Sequence, residues 1–205
     1  MGAFRSLLSF GSIYNTFTYI VGKLGTAKLF IFAKYLSYAP GMKILDLGCG
    51  PGTNTDFFQH EDYLGIDINE KYIKKAKSLH PNYEFNCSDF IDLDQSFDDY
   101  FDLVLMSGLI HHLSDELAEK FINKARTVLK NGGRLLAIEN CLHPKQSDLK
   151  KKIILMDRGE HVRELSDLCR LIDLSKMEGA VLTEENLLLI PYTHAIICLE
   201  KTSTS

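Results

Sequence analysis

Short apolar runs alternate with longer amphipathic segments between residues 43 and 139. The apolar runs predict five β-strands, at 43–47, 62–67, 83–87, 101–106 and 133–139. The segments between them predict helices at 53–60, 70–79 and 115–130. Strands that alternate with helices in this way are typical of a doubly wound parallel sheet with helices on both faces.

The two ends of the chain extend this pattern. Residues before the break at Ala39–Gly41 predict a helical cap that is rich in aromatic side chains. Residues 145–175 predict one or two helices interrupted at Arg158–Gly159, and residues 179–201 predict two strands joined near 189–192. The predicted fold is therefore α/β, a doubly wound, mostly parallel seven-stranded sheet with an antiparallel C-terminal hairpin and an N-terminal helical cap.

The helix after Ser114 has the clearest boundaries. Ser114 is a good N-cap, two acids follow it in the first turn, and Asn131-Gly132-Gly133 is expected to end the helix. Its apolar stripe has helical spacing and is interpreted as core.

Length, composition and charge narrow the class of protein. The chain has 205 residues and is 45% hydrophobic, which suits one domain with a full core. Its net charge of -4 and pI near 6.0 give no global basic field, so we expect no nucleic-acid partner. The basic run Lys150–Lys152 is interpreted as the solvated face of a helix.

Five cysteines occur without any CxxC pair or zinc spacing. They predict free thiols in a reducing compartment and no metal site. The N-terminus lacks the order of a secretory signal and no apolar run is long enough for a membrane span, so we expect a cytoplasmic protein. The oligomeric state is left open.

The stretch ILDLGCGPG, from Ile44 to Gly52, is the strongest indication of a ligand site. An apolar strand ends at Asp46 and runs into three glycines at alternate positions, Gly48, Gly50 and Gly52. Glycines allow a tight turn whose backbone amides approach a ligand closely. The GxGxG spacing differs from the dinucleotide pattern GxGxxG, and the carboxylate suits a cationic or zwitterionic ligand better than a pyrophosphate.

A second acid, Asp67, ends the next apolar run in YLGIDIN. A carboxylate at this position can accept two hydrogen bonds from a ribose diol, in an adenosyl group or in a nicotinamide dinucleotide alike. Together with the glycine turn it resembles the class I, Rossmann-like S-adenosylmethionine-dependent methyltransferases, of the small single-domain bacterial type. The resemblance covers residues 41–201.

The resemblance implies S-adenosylmethionine as cofactor and assigns roles at the ends of the strands. The turn with Asp46, Gly48, Cys49, Gly50 and Gly52 would wrap the methionine part. Asp67 would bind the ribose, Ile68 would cover the adenine, and Asp89 would take its exocyclic amine, with the backbone amide of Phe90 at the ring and Ser107 at the end of the fourth strand. A helix cap at Asp67 and an ordinary acidic loop at Asp89 are the competing interpretations.

The loop after the fourth strand is where an acceptor would lie. His111 and His112 are candidate catalytic bases because histidine titrates near neutrality. The competing interpretation is that the pair only positions the loop and the following helix. Candidates for contact with an acceptor lie further along the chain and in the cap: Asp157, Arg158, His161, Arg163, Tyr192, His194 and, in a lid with Tyr19, Tyr14.

The sequence thus predicts a methyltransferase that acts on an unidentified small molecule. The single domain would comprise an N-terminal helical cap at 1–40, a cofactor-binding core at 41–140 and acceptor-side helices with the C-terminal hairpin at 141–205. A macromolecular acceptor is disfavoured because the chain has no NPPY-like tetrad and no Pro-Cys nucleophile. Two further classes stay open: a catalytically silent S-adenosylmethionine-binding protein and a nicotinamide-dependent oxidoreductase.

Overall fold

The strands of the sheet occur in the predicted order. In the computed structural model, which describes residues 26–155, 160–185, 187–188 and 193–203, the strands are β1 Ile44–Leu47, β2 Tyr63–Asp67, β3 Glu84–Cys87, β4 Phe101–Ser107, β5 Leu129–Leu142, β6 Arg163–Glu164, β7 Glu178–Glu185 and β8 Thr193–Glu200. The helices are α1 Thr26–Tyr35, α2 Glu70–Leu79, α3 Asp115–Val128, α4 Asp148–Leu155 and α5 Leu165–Ser175.

The spatial order of the sheet is β3-β2-β1-β4-β5-β8-β7, with the two-residue β6 pairing beside β5. The first five strands of this order are parallel, and β8 and β7 are antiparallel to their neighbours. The predicted fold class is confirmed. Strand order reverses between β1 and β4, and ligands of open α/β sheets bind beyond the carboxyl ends of the strands at such a point.

Helices cover both faces of the sheet. On one face α3 and α5 bury side chains such as Phe121 and Leu168 in a single apolar cluster. On the other face α1 and α2 contribute Ile31 and Ile73 to a second cluster. Because both faces are buried, most positions of the central strands are apolar, as expected of a parallel sheet, and the buried acids Asp46 and Glu139 are exceptions.

The predicted helix at 53–60 is wrong. The connection from β1 to β2 contains two short 3₁₀ turns instead, Thr55–Phe57 and His60–Asp62. Asn54 and Thr55 use their side chains for tertiary and local hydrogen bonds, to Asp46 and to the carbonyl of Gly52. Side chains of this kind compete with helical hydrogen bonding and favour turns.

The boundary between α3 and β5 also differs from the prediction. Helix α3 ends at Val128 and the strand begins at Leu129, so that Asn131-Gly132-Gly133 lies within the span of β5. The glycine pair bonds to the end of the chain: Gly132 N–H donates to Lys201 O at 2.7 Å and Lys201 N–H to Gly133 O at 2.9 Å. The glycines therefore serve a turn that is fixed by the C-terminal strand, which the local pattern does not indicate.

The predicted helices at 145–175 are α4 and α5, and the predicted hairpin is β7 with β8. The interruption at Arg158–Gly159 and the joint at 189–192 lie outside the described residues, as does the cap before Thr26. Helix α1 is the described part of that cap. In the described ranges, none of the helices has the length and apolarity that a membrane crossing requires.

The cysteines are free thiols, as predicted. All five lie in the described part of the chain. Burial raises the pKa of Cys49, and it raises the pKa of Cys141 to about 12. The described residues contain no group of three or more histidine, cysteine or acidic side chains that could hold a metal ion.

Candidate cofactor and acceptor site

The glycine turn lies at the carboxyl end of β1, and its three glycines all have positive φ, of 67°, 55° and 81°. A Cβ at Gly48 would lie 3.0 Å from Leu109 Cδ1, and one at Gly52 would lie 2.9 Å from His80 Cδ2. A Cβ at Gly50 would have no neighbour within 4 Å. A side chain at Gly48 or Gly52 would therefore press on neighbouring side chains, whereas one at Gly50 would enter open space.

The N–H groups of this turn are engaged inside the protein. Their acceptors are Ile66 O for Gly48 and Cys49, Asp67 Oδ2 for Gly50 and Cys49 O for Gly52, at 2.8, 3.1, 2.9 and 3.1 Å. Pro51 has no N–H. These N–H groups therefore already have acceptors within the protein. Carbonyl oxygens of the turn are engaged as well, because Cys49 O accepts the N–H of Gly52 and Gly52 O accepts the hydroxyl of Thr55.

Asp46 is fully buried beneath the turn. Its carboxylate accepts two hydrogen bonds from Asn54 Nδ2, at 3.1 and 2.9 Å, and one from the hydroxyl of Tyr63 at 2.6 Å. Burial raises the pKa of Asp46 to about 6, and the hydrogen bonds from Tyr63 and Asn54 oppose this effect. Asp46 therefore organises the turn from below, and any effect on a ligand passes through its neighbours.

Lys28 of α1 extends this network, and the sequence pattern does not identify it as a site residue. Its ammonium group donates to Asn54 Oδ1 at 2.8 Å and to the carbonyl and hydroxyl oxygens of Thr53 at 3.2 and 3.3 Å. Burial lowers the pKa of Lys28, while Asp46 and Asp56 oppose the shift. The N-terminal helix is thereby attached to the segment that follows the glycines.

Asp67 ends β2 directly beside the turn. Its Oδ2 accepts the N–H of Gly50 at 2.9 Å and its Oδ1 accepts the N–H of Asn69 at 2.8 Å. Each carboxylate oxygen has a second lone pair, so these bonds leave acceptor capacity. The next side chain, Ile68, is 74% exposed, which is unusual for isoleucine and agrees with a surface that a flat apolar group would cover.

Asp89 follows β3 on the same edge of the sheet. One of its oxygens accepts the N–H of Ile91 at 3.0 Å, so the carboxylate caps the short turn Phe90–Asp92. The ring of Phe90 is buried and packs on Phe121 with ring centroids 5.3 Å apart. Phe90 therefore has only its backbone to offer at the site.

The segment 108–113, hereafter the histidine loop, follows Ser107 at the end of β4. Gly108 has a φ of 68° and donates its N–H to Ile138 O at 2.8 Å. Leu109 occupies the space beside Gly48, so the loop and the glycine turn are in van der Waals contact. Ser107 is half-buried between them.

His111 is buried and bonded to Glu139 of β5. Its Nδ1 lies 2.6 Å from Glu139 Oε2. His112 is exposed, with its ring centroid 4.2 Å from that of His111. Glu139 is not among the site residues predicted from the sequence; the signal that could identify it is a lone acid in the apolar run LLAIEN, at the carboxyl edge of the sheet.

Arg163 does not have the predicted role in contact with an acceptor. It is buried, and its guanidinium donates to main-chain oxygens of the histidine loop, Ile110 O at 2.9 Å and Leu113 O at 2.6 Å. It also donates to Asp115 Oδ1 and to the carbonyl of His161, at 2.8 and 3.1 Å. With its nitrogens committed to the protein, the guanidinium is part of the scaffold.

The remaining acceptor-side candidates divide into two groups. His161 is exposed and its N–H donates to the carbonyl of His111 at 3.0 Å. His194 is buried in β8, where its Cα pairs with that of Asn140 at the carboxyl end of β5. The other four lie outside the described residues: Tyr14, Asp157, Arg158 and Tyr192.

A cavity of about 650 Å³ opens at the opposite edge of the sheet, near the amino end of β4. Three of its charged lining residues have partners within the protein: Arg134 pairs with Glu200 at 3.2 Å, and Asp102 pairs with Lys130 at 2.8 Å. It lies at the wrong edge of the sheet for the residues above, and none of them lines it.

Comparisons with known proteins agree with this arrangement. The family profile described as a methyltransferase domain matches residues 44–133. Phosphoethanolamine N-methyltransferase 3 of Arabidopsis thaliana is 30% identical over 152 residues, 70% of this chain and 30% of the relative. A ubiquinone biosynthesis O-methyltransferase of Nitrobacter winogradskyi is 27% identical over 111 residues, 51% of this chain and 41% of the relative. The chain thus spans less than half the length of these relatives.

The fold has a close counterpart among solved structures. An S-adenosylmethionine-dependent methyltransferase from Archaeoglobus fulgidus superposes with a TM-score of 0.68 at 20% identity, covering 91% of this chain and 99% of that chain. Sheet order, glycine turn and the acid at the end of β2 together define a Rossmann-like domain that binds an adenosyl cofactor.

Residues 44–133 match the methyltransferase-domain family, and the fold around them is the one found in S-adenosylmethionine-dependent methyltransferases. S-adenosylmethionine is accordingly its cofactor, and the resemblance read from the sequence is confirmed. A Cβ at Gly50, beside the acid of β2, would meet no atom within 4 Å, so the turn leaves room for a ligand at this position.

Proposed function

We propose that this enzyme transfers the methyl group of S-adenosylmethionine to an oxygen, nitrogen or carbon atom of a small molecule. The observation that carries the proposal is the position of Gly50, which faces open space with Asp67 on one side and the histidine loop packed against Gly48 on the other. The relatives named above are an N-methyltransferase of phosphoethanolamine and an O-methyltransferase of ubiquinone biosynthesis, and both names point to small acceptors.

The cofactor supplies a methyl group that is already activated on a sulfonium. In the proposal, Asp67 accepts the ribose hydroxyls with the lone pairs that its backbone contacts leave, and Ile68 covers the adenine. Asp89 takes the exocyclic amine with the oxygen that does not cap the turn, beside the backbone of Phe90. The methionine part lies along Gly48, Cys49, Gly50 and Gly52, with Ser107 at the rim.

The protein then has to align the acceptor and remove its proton. His111 is the better candidate for this role, because a carboxylate orients its ring and the loop that carries it contacts the glycine turn. His112, on the same turn of chain, is exposed and is the second candidate. His161 and His194 are candidates for contact with the acceptor, as are Tyr14, Asp157, Arg158 and Tyr192.

The experiment that tests the function has two arms. Thermal midpoints of the pure protein with S-adenosylmethionine, S-adenosylhomocysteine and NAD identify the ligand, because a ligand that binds only the folded protein raises the midpoint with its concentration. Production of S-adenosylhomocysteine is then measured with a panel of small amines and phenols, phosphoethanolamine included. Stabilisation by the adenosyl ligands without any product would indicate a silent binding protein, and stabilisation by NAD alone would overturn the proposal.

The choice between the histidines is tested by His111→Ala and His112→Ala with an acceptor that is turned over. We expect His111→Ala to slow transfer at least ~10-fold while it spares cofactor binding, within the usual range for loss of a general base. Full activity in His111→Ala would reduce this residue to a structural role, and a loss confined to His112→Ala would assign the base to its neighbour.

A further inference from the structure

Glu139 makes an unusual set of contacts for a carboxylate that is only 2% exposed. It accepts hydrogen bonds from three successive backbone N–H groups of the histidine loop as well as contacting the ring of His111. The four distances are 2.9 Å from Leu109 N, 2.7 Å from Ile110 N, 3.2 Å from His111 N and 2.6 Å from His111 Nδ1.

These contacts both compensate the buried charge of Glu139 and satisfy N–H groups of the loop. A buried carboxylate is costly unless donors surround it, and the first N–H groups of a short helical turn have no partner within the turn. Residues 110–112 form such a turn, and Leu109 at its start has no side chain that could cap it. Glu139 supplies the cap from a different strand.

Arg163 forms hydrogen bonds with the carbonyl oxygens of the same loop. While Glu139 accepts its N–H groups, Arg163 donates to the carbonyl oxygens of Ile110 and Leu113. The histidine loop is thus clamped between an acid on β5 and a base on β6, strands that pair through Cys141 and Arg163. Neither charge requires a ligand to be compensated.

We infer that Glu139 is a positioning residue for methyl transfer: it fixes His111 in the tautomer that carries its proton on Nδ1. The neutral ring then has its lone pair on Nε2. The inference rests on the proposed function, in which that nitrogen takes the proton leaving the acceptor's N–H or O–H while the bonding electrons remain on the acceptor atom. The carboxylate stabilises the resulting imidazolium.

Four titratable or charged residues of the described chain contact this ring or its loop. They are Glu139 from β5, His112 on the same turn and, on the carbonyl side of the loop, Arg163 and His161. Of these, Glu139 bonds to Nδ1 of the ring through its own side chain. Its replacement by glutamine is therefore the sharpest test, since shape and burial are kept while the negative charge is lost.

In Glu139→Gln, the amide oxygen can keep the bonds from the N–H groups of Leu109 and Ile110 only if the NH₂ group takes the place of Oε2 and faces Nδ1. The weaker bond from the N–H of His111, at 3.2 Å to Oε2, is then lost. The ring must then accept at Nδ1 and carry its proton on Nε2. The ¹⁵N signals of histidine distinguish the two tautomers and follow their titration, and a His111→Gln variant assigns the signal. We expect the tautomer to switch, the ring to titrate at lower pH, and kcat to fall at least ~10-fold.

Two features separate this role from a purely structural one. KM for S-adenosylmethionine should stay within about 3-fold, and the acidic limb of the kcat profile should move to lower pH with the ring. Glu164→Gln is the matched control, because Glu164 is exposed on the neighbouring strand. An unchanged tautomer and unchanged titration of His111 in Glu139→Gln would overturn the inference.

The wild-type protein provides a second test if Glu139→Gln fails to fold. Its His111 signal must show the proton on Nδ1, and an Nε2–H tautomer would overturn the inference without any variant. Failure of the two proposals is distinguishable. If the tautomer result holds but no acceptor is methylated, the proposed function fails alone; if methyl transfer proceeds with an unchanged pH profile in Glu139→Gln, the positioning role fails alone.

Discussion

The glycine turn and the histidine loop are both held at the carboxyl edge of the sheet, but by different contacts. Each is built over a buried carboxylate, Asp46 beneath the turn and Glu139 beneath the loop. The partners differ. Asp46 is bound by side chains, Asn54 and Tyr63, whereas Glu139 is bound mainly by backbone N–H groups.

This difference determines what each acid controls. Hydrogen bonds from two side chains do not offset the burial of Asp46, whose pKa is raised to about 6. Its network is sensitive to pH and can be altered one side chain at a time. Glu139 and Arg163 instead bind the main chain of the loop, so they fix a backbone conformation and, with it, the direction of a side chain.

The largest effect that we expect is a loss of stability when Arg163, which holds the histidine loop, is replaced. In Arg163→Met the carbonyls of Ile110 and Leu113 lose their donor inside the protein, so we expect a loss of about 3 to 5 kcal/mol in the free energy of unfolding. Urea denaturation measures it. Arg170→Met, at an exposed position of α5, is the control, and equal stability of the two variants would show that the loop does not depend on the clamp.

The next effect concerns the pH dependence of the turn. The pKa of Asp46 is about 6 in the folded protein, above its ordinary value of 3.8. The folded state therefore binds the extra proton between these values, and the contribution of Asp46 to stability falls as pH rises through that window, by about 3 kcal/mol at most. Denaturation curves at several pH values should show this slope in the wild type and lose it in Asp46→Asn.

A third prediction concerns affinity. We expect Asp67→Ala to weaken binding of S-adenosylmethionine by about 1 to 3 kcal/mol, the usual cost of losing a charged hydrogen-bond partner. Calorimetric titration measures the change, and Asp92→Ala, at an exposed acid of the same edge, should leave affinity unchanged. If Asp67→Ala binds the cofactor like the wild type, the ribose assignment fails.

The smallest effects that we expect distinguish Gly50 from Gly52, one by cofactor binding and the other by stability. Gly50→Ala should cost only about 1 to 2 kcal/mol of stability, from the left-handed backbone, but should weaken cofactor binding because its Cβ enters the open space. Gly52→Ala should lower stability more than Gly50→Ala does and weaken cofactor binding less, since its Cβ meets His80 and Phe85 inside the protein. Thermal midpoints with and without S-adenosylmethionine show both effects, and identical behaviour of the two variants would contradict the comparison.

The sequence predicts the fold well where periodicity is strong. Strands β1 to β4 and helices α2 and α3 lie within two residues of their predicted bounds, because local apolar spacing and, for α3, the N-cap Ser114 indicate where they begin and end. The helix predicted at 53–60 is wrong, since its pattern includes side chains, Asn54 and Thr55, that bond elsewhere. The turn at Asn131–Gly133 departs from the prediction for a similar reason, a long-range contact with Lys201.

The residues of the candidate site also fall into two groups, those that form local sequence patterns and those whose role depends on distant contacts. The glycine turn and Asp67 are local patterns and can be recognised in the chain. Glu139 and Lys28 cannot, because their importance arises from contacts with the distant segments 109–111 and 53–54. Arg163 is the opposite case. Its polar stretch of sequence indicates an exposed residue that binds an acceptor, and only the fold shows that its guanidinium is buried and bonded to groups of the protein.

The contact between Leu109 and Gly48 has a thermodynamic consequence. The missing Cβ of Gly48 lets the side chain of Leu109, in the histidine loop, pack directly on the turn, so a shift of one segment changes the surface against which the other packs. If binding of one ligand displaces Leu109, it changes the affinity for the second ligand, and reciprocity requires that the second change the affinity for the first by the same factor. Methyl donor and acceptor would then be bound as an energetically linked pair.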